Sequence, residues 1–262
     1  MNRLAVALLV IAGPVVAAFL FAGDKAAGNA TTDTRSPVLV ELFTSEGCSS
    51  CPPADALLQK FDGQPFPGAE LIVLSEHVDY WNHIGWTDPF SAAAYSERQS
   101  AYGNRLRLDS VYTPQMIVDG VQELVGNSSK DAEKAIARAA GAYKVPIRIS
   151  GVTLDNNKLR VHLETDELPS ETGRADVVLT IALRHAESQV RAGENSGRRL
   201  THVSVVRSLT KVGSIAAGQK FSRDVSAKLA EGMDGSGLRV IAFIQKPGPG
   251  KVLGAALQDF TK

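Results

Sequence analysis

The chain has 262 residues, 44% of them apolar, and balances 28 Lys plus Arg against 28 Asp plus Glu. That length fills one large hydrophobic core or two medium ones. Zero net charge excludes a general polyanion binder, and no nucleic-acid partner is expected, because phosphate affinity needs concentrated positive charge.

Arg3 precedes an apolar run from Leu4 to Phe21, interrupted by Gly13-Pro14 and ended by Asp24-Lys25. Residues 1–23 therefore read as a signal peptide or an uncleaved anchor, with residues 4–21 as the membrane-active stretch. The positive flank predicts that this end stays cytoplasmic while the body is exported to the periplasm or cell envelope. Small residues offer cleavage after Ala22 or Ala30, and lipidation is excluded because no cysteine precedes Cys48. Residues 24–36 are small and polar, which predicts a flexible tether.

Residues 37–145 read as an α/β domain. The run Val38 to Phe43 is apolar on both faces except at Glu41, as a central strand of a mostly parallel sheet would be. A turn over Thr44 to Gly47 follows, then a helix through Leu57, Leu58 and Phe61. Pro52 and Pro53 suit its first turn, where backbone N–H groups lack partners anyway. Leu71 to Leu74 form a second strand running out into Ser75-Glu76-His77. Asp88 and Pro89 predict the N-cap and first residue of a helix through Tyr95, Arg98 and Tyr102. Met116 to Val118 and Val121 to Val125 are strands joined by an Asp119-Gly120 turn. Asn127 to Ser129 cap a last helix with Ala132, Ile136, Ala139 and Tyr143 along one face.

From residue 146 to 262 the period becomes two. Leu159, Val161 and Leu163 alternate with polar neighbours, as do Val177 to Leu183, Val203 and Val205, and Val240 to Ile244. Turns fall at Asn156-Asn157, at residues 194–197 and at residues 234–237. This density of half-buried strands predicts an all-β sandwich-like second domain.

Chemistry concentrates at Cys48-Ser49-Ser50-Cys51, the two cysteines of the chain. Closing so short a loop stabilises a fold by only roughly 2 kcal/mol in the chain-entropy view, so a structural staple is a poor reading. A helix N-terminus stabilises a thiolate and lowers its pKa from about 8.5 into the range of roughly 3.5 to 7.5. Cys48 is expected to project beyond the helix end as the attacking thiolate. Cys51, one turn in, is the resolving thiol. No cofactor beyond the two sulfurs is expected.

Residues Val40 to Pro53, with Thr113-Pro114 ahead of a strand and an Asp-Gly turn, resemble the thioredoxin fold. The resemblance implies that Pro114 is a cis-proline facing the cysteine pair, with Thr113 beside it ready to pair with a bound peptide. The chain is also similar to a bacterial family of secreted proteins catalogued as a domain of unknown function. The likeness rests on residues 41–48, His77-Val78-Asp79-Tyr80-Trp81, Tyr112 to Gln115, and Arg191 to Asn195. It places the polar turn Arg191 to Arg199, followed by His202, against the first domain, whereas composition alone reads a solvated loop.

Other residues carry two readings each. Glu41 either serves as a buried proton relay behind Cys51 or pairs with the turn backbone or a basic side chain. Trp81 and Trp86 either pack or form a substrate-binding rim. His77 and Asp79 order their loop, and Arg98 either pairs with Asp79 or recognises an anion. A Cys48/Cys51/His77 copper site is the remote alternative, since no standard metal spacing is present. With no Gly-x-Ser-x-Gly elbow, Ser49 and Ser50 do not suggest a serine hydrolase. The expectation is an exported thiol–disulfide oxidoreductase or isomerase, exchanging with envelope protein thiols and an electron-transfer partner. The alternatives are a non-catalytic binding or assembly protein and, behind it, copper delivery.

Overall fold

The computed structural model describes residues 35–229, 233 and 235–260. The signal or anchor segment over residues 1–23 and most of the tether lie outside the described residues. Among the described residues no helix is long and apolar enough to cross a membrane.

The first half runs β1 (Ser36–Thr44), α1 (Pro52–Gly63), β2 (Ala69–His77), α2 (Ala93–Leu106), β3 (Gln115–Val118), β4 (Gln122–Val125) and α3 (Ser129–Ala140). The second is all strand: β5 (Ile147–Asp155), β6 (Lys158–Thr165), β7 (Ala175–Gln189), β8 (Arg199–Ile215), β9 (Ser222–Lys228), β10 (Leu238–Gln245) and β11 (Val252–Phe260), with single 3-10 turns at Asn82–Ile84 and Ser170–Thr172.

Strand parity decides which layer each side chain enters. In β1, Val38, Val40 and Leu42 pack with Ala54, Leu57, Leu58 and Phe61 of α1 and Ile136 of α3. Leu39 faces the other way, into a core with Tyr95 of α2, and Phe43 likewise packs with Tyr102. The sheet thus carries α1 and α3 on one face and α2 on the other. Proline stands at the first positions of α1, as expected.

The sequence boundary at 145/146 does not divide the sheet. Among the described residues, eight strands form one mixed sheet in the order β11-β10-β7-β8-β2-β1-β3-β4. The two halves meet where β2 pairs in parallel with β8 through Ser75 and Val205. One core spans this join: Leu39, Ile72 and Leu74 pack with Val206, Ile241 and Phe243. Arg239 of β10 also ties back to Asp62 of α1. Strand periodicity marks where strands are but not which sheet they enter, so the second half extends the first.

The expected sandwich exists locally. A three-stranded sheet, β5-β6-β9, packs Leu159, Val161 and Leu163 onto Val177, Leu179, Ile181, Val240 and Ala242 of the large sheet. β10 is buried on both faces rather than half-buried, because this sheet covers one side while Ile241 and Phe243 face the other core.

Two helix boundaries also differ. The helix predicted from Asp88-Pro89 begins at Ala93, because the Asp88 side chain is drawn away. It accepts from the N–H groups of Glu46 and Phe90, each at 2.9 Å. Tyr143 lies beyond the end of α3 and is 69% exposed, off the face assigned to it.

Candidate functional site

The turn after β1 delivers Cys48 to the N-terminal end of α1. Cys51 is the N-cap of that helix, and its carbonyl accepts the N–H groups of Ala54 at 2.8 Å and Asp55 at 3.1 Å. Cys48 and Cys51 form a disulfide with their Cα atoms 5.4 Å apart. Both cysteines are fully buried, while Ser49 and Ser50 between them are exposed. The expectation that Cys48 projects into solvent is therefore corrected: the loop exposes its serines and encloses its sulfurs.

The cover comes from the far half of the chain. Asn195, in the tip joining β7 to β8, donates through Nδ2 to the carbonyls of Glu46 and Cys48, each at 2.9 Å. Arg198 Nη1 donates to the Asn195 side-chain Oδ1 at 2.9 Å. Glu194 accepts the Ser49 N–H at 3.0 Å, and the Ser49 side chain together with this N–H holds its carboxyl below the ordinary carboxylate value. The polar turn thus contacts the first half, in the sense that the family resemblance implied.

The Thr113–Pro114 peptide is cis. Pro114 is buried, and its carbonyl accepts the N–H of Gly126 at 2.9 Å. A Cβ on Gly126 would stand 3.0 Å from Pro114 Cβ and 3.2 Å from Ala54 Cβ. Only a glycine lets this proline and the first turn of α1 converge there. Thr113 accepts the Trp81 indole N–H at 2.7 Å, and a Cβ on Gly47 would meet Trp81 Cβ at 3.0 Å. Cys48, Cys51, Thr113, Pro114 and Trp81 therefore lie in one neighbourhood. Trp86 instead donates to Glu46 at 2.8 Å, so its indole edge is committed within the protein.

Glu41 is also corrected. It points to the α2 face, away from α1. Its carboxylate accepts Arg98 Nε at 2.7 Å and the Tyr102 hydroxyl at 2.5 Å. The basic-partner reading holds and the relay reading fails, because the sheet separates Glu41 from Cys51. Arg98 pairs with Glu41 and lies 3.6 Å from Glu76, and so it is not Asp79's partner. Asp79 accepts the Ser96 hydroxyl of α2 at 2.6 Å. Glu76 lies well above the ordinary value: burial and the Glu41 carboxylate raise it, against Arg98, which lowers it.

On the α1 face lies a buried polar cluster that the sequence reading did not assemble. Glu46 accepts Trp86, Ser188 and His202. His202 Nδ1 stands 3.8 Å from Asp55 of α1, and its ring meets His77 edge-on at a centroid distance of 4.6 Å. His77 Nδ1 donates to Asp88 at 2.7 Å. Burial opposes charge on His202, but the Asp55 and Glu46 carboxylates facing its ring outweigh it and lift its pKa to about 10. Burial would raise Asp88, yet His77 and two backbone N–H groups hold it below the ordinary value. The sequence signal for Asp55 was a carboxylate one turn after Cys51 on an otherwise buried helix face. No grouping of Cys48, Cys51 and His77 for copper is assembled, and among the described residues no set of three metal-type side chains is arranged to hold an ion.

A family described as "Protein of unknown function (DUF1223)" matches residues 39–245. A crystal structure of a protein from Agrobacterium tumefaciens is 28% identical over 85% of this chain and 94% of its own, with a TM-score of 0.64. HBP35 of Porphyromonas gingivalis is 14% identical over 86% of this chain and 75% of its own, with a TM-score of 0.62, a likeness of fold alone. No curated protein matches the chain.

Proposed function

The chain belongs to DUF1223, a family of proteins of unknown function, and we propose that it exchanges thiols and disulfides with proteins of the cell envelope through Cys48 and Cys51. The observation that carries this reading is the disulfide between the chain's two cysteines at the N-terminus of α1, whose first turn converges with Pro114 on Gly126. The bond closes too small a loop to serve as a staple, and a helix N-terminus is where a thiolate is stabilised. On this reading the order β1-α1-β2-α2-β3-β4-α3 is a thioredoxin-like unit, to which the second half adds strands and a cover. The N-terminal apolar segment directs export. Electrons pass between the pair and an envelope partner, in a direction set by the two reduction potentials.

The test is to trap the reaction half-way. Cys51→Ser, expressed in the exporting cell, should accumulate mixed disulfides through Cys48, seen as reductant-sensitive bands that Cys48→Ser abolishes. A lane without adducts refutes the exchange reading. It would favour a binding or assembly protein, which the burial of both sulfurs supports.

A further inference from the structure

Exchange at a buried pair raises a proton problem. When a partner disulfide is attacked by Cys48, a mixed disulfide forms and one partner sulfur leaves as a thiolate. Cys51 must then lose its proton before its sulfur can attack Cys48, close the 48–51 bond and expel the second partner sulfur. In solution water takes that proton. Here Cys51 is fully buried, and Glu41 lies beyond the sheet.

We infer that Asp55 is the base that takes the Cys51 proton and that His202 is the positioning residue that holds it, a conclusion that rests on the exchange reading above. Asp55 follows Cys51 by four residues and its N–H donates to the Cys51 carbonyl at 3.1 Å. Side chains so spaced stand on one helix face with Cβ atoms roughly 5–6 Å apart. Asp55 is only 6% exposed and His202 2%. Asp55 Oδ1 and His202 Nδ1, 3.8 Å apart, are both buried without a hydrogen-bond partner. A buried acceptor left free one helical turn from Cys51 is costly to folding and useful to catalysis.

His202 also borders a surface cleft. A cleft of about 250 Å³ is lined by Gln59, His185, Glu187, Thr201 and His202. The groups facing His202 are Asp55 from α1, Glu46 from the turn after β1, and His77 of β2 with Asp88 behind it. His185 and Glu187 of β7 share the cleft. The proton passes from Cys51 to the Asp55 carboxylate, then to the departing partner thiolate. The full cycle converts a dithiol and a partner disulfide into a disulfide and two partner thiols, with no other reactant.

The experiment is single-turnover oxidation of the reduced full chain by glutathione disulfide, following capture at Cys48 and closure of the 48–51 bond separately. Asp55→Asn should leave capture unchanged and slow closure at pH 7 by about 100-fold, the low end for a positioned base. The loss should be recovered as alkali ionises Cys51 directly. His202→Gln keeps the carboxylate but removes its cation, so the acid limb of the closure profile should move to higher pH. It serves as the independent variant if Asp55→Asn does not fold. Normal capture with unchanged closure rates and pH profiles overturns this inference alone. A wild-type chain that is never captured by glutathione overturns it together with the exchange reading.

Discussion

At the scale of single residues, His202 couples the site to the stability of the whole fold. Its ordinary value is 6.5 and its folded value about 10. A group raised on folding contributes stability that is complete below the lower value and is lost as pH rises through the higher one. Unfolding free energy from urea titrations should therefore fall between pH 6.5 and 10, and His202→Gln should flatten that slope. An unchanged slope in the variant would show that His202 is not the imidazolium described. Asp88 acts with the opposite sign: it is depressed on folding, so its contribution is present above the ordinary carboxylate value and lost in acid. Much of this was within reach of the sequence. The thioredoxin resemblance sets Thr113 and Pro114 against Cys48 and Cys51, while for Trp81 the sequence offers both packing and a substrate-binding rim. Glu41 stood out as a lone carboxylate in an apolar strand, but its direction follows from parity with Val40 and Leu42, which belong to the α1 face. Asp88 misled because a capping residue is recognised by type, whereas its actual partners, Glu46 and His77, come from other elements.

At the scale of elements, the β7–β8 hairpin is the part that closes the site. β7 and β8 are long, 15 and 17 residues, so their tip reaches past the sheet onto the turn between β1 and α1. Asn195 holds that turn by two hydrogen bonds. Each is worth about 0.5–1.5 kcal/mol net, and releasing both before reaction amounts to roughly a tenfold rate difference. Asn195→Ala should therefore speed reduction of the 48–51 disulfide by a small phosphine about tenfold, followed by mass shift after thiol alkylation. An unchanged rate would mean that something other than this tip limits access. The sequence located the tip as a polar turn and the family likeness implied its contact. It did not yield the length of β8, because the register shifts against β7 insert Arg207 and Val212 as extra residues and break the alternation of that strand.

At the scale of the whole molecule, one sheet carries both halves. Residues on either side of position 145 share the core of Leu39, Ile72, Val206 and Phe243. Such sharing predicts a single cooperative unfolding transition for the full chain, with far-ultraviolet circular dichroism and tryptophan fluorescence coinciding. Two separated transitions would restore the independent domains that periodicity alone suggested. Fold class was legible in each half separately; their fusion was not, since a parallel join made by Ser75 and Val205 leaves no turn or motif to read. The order in which the polypeptide is made then acquires a meaning of its own. Asn195 emerges 147 residues after Cys48, so the nascent cysteines stand uncovered until most of the protein has been synthesised. Whatever oxidation state they have reached by then is sealed in by the arriving hairpin.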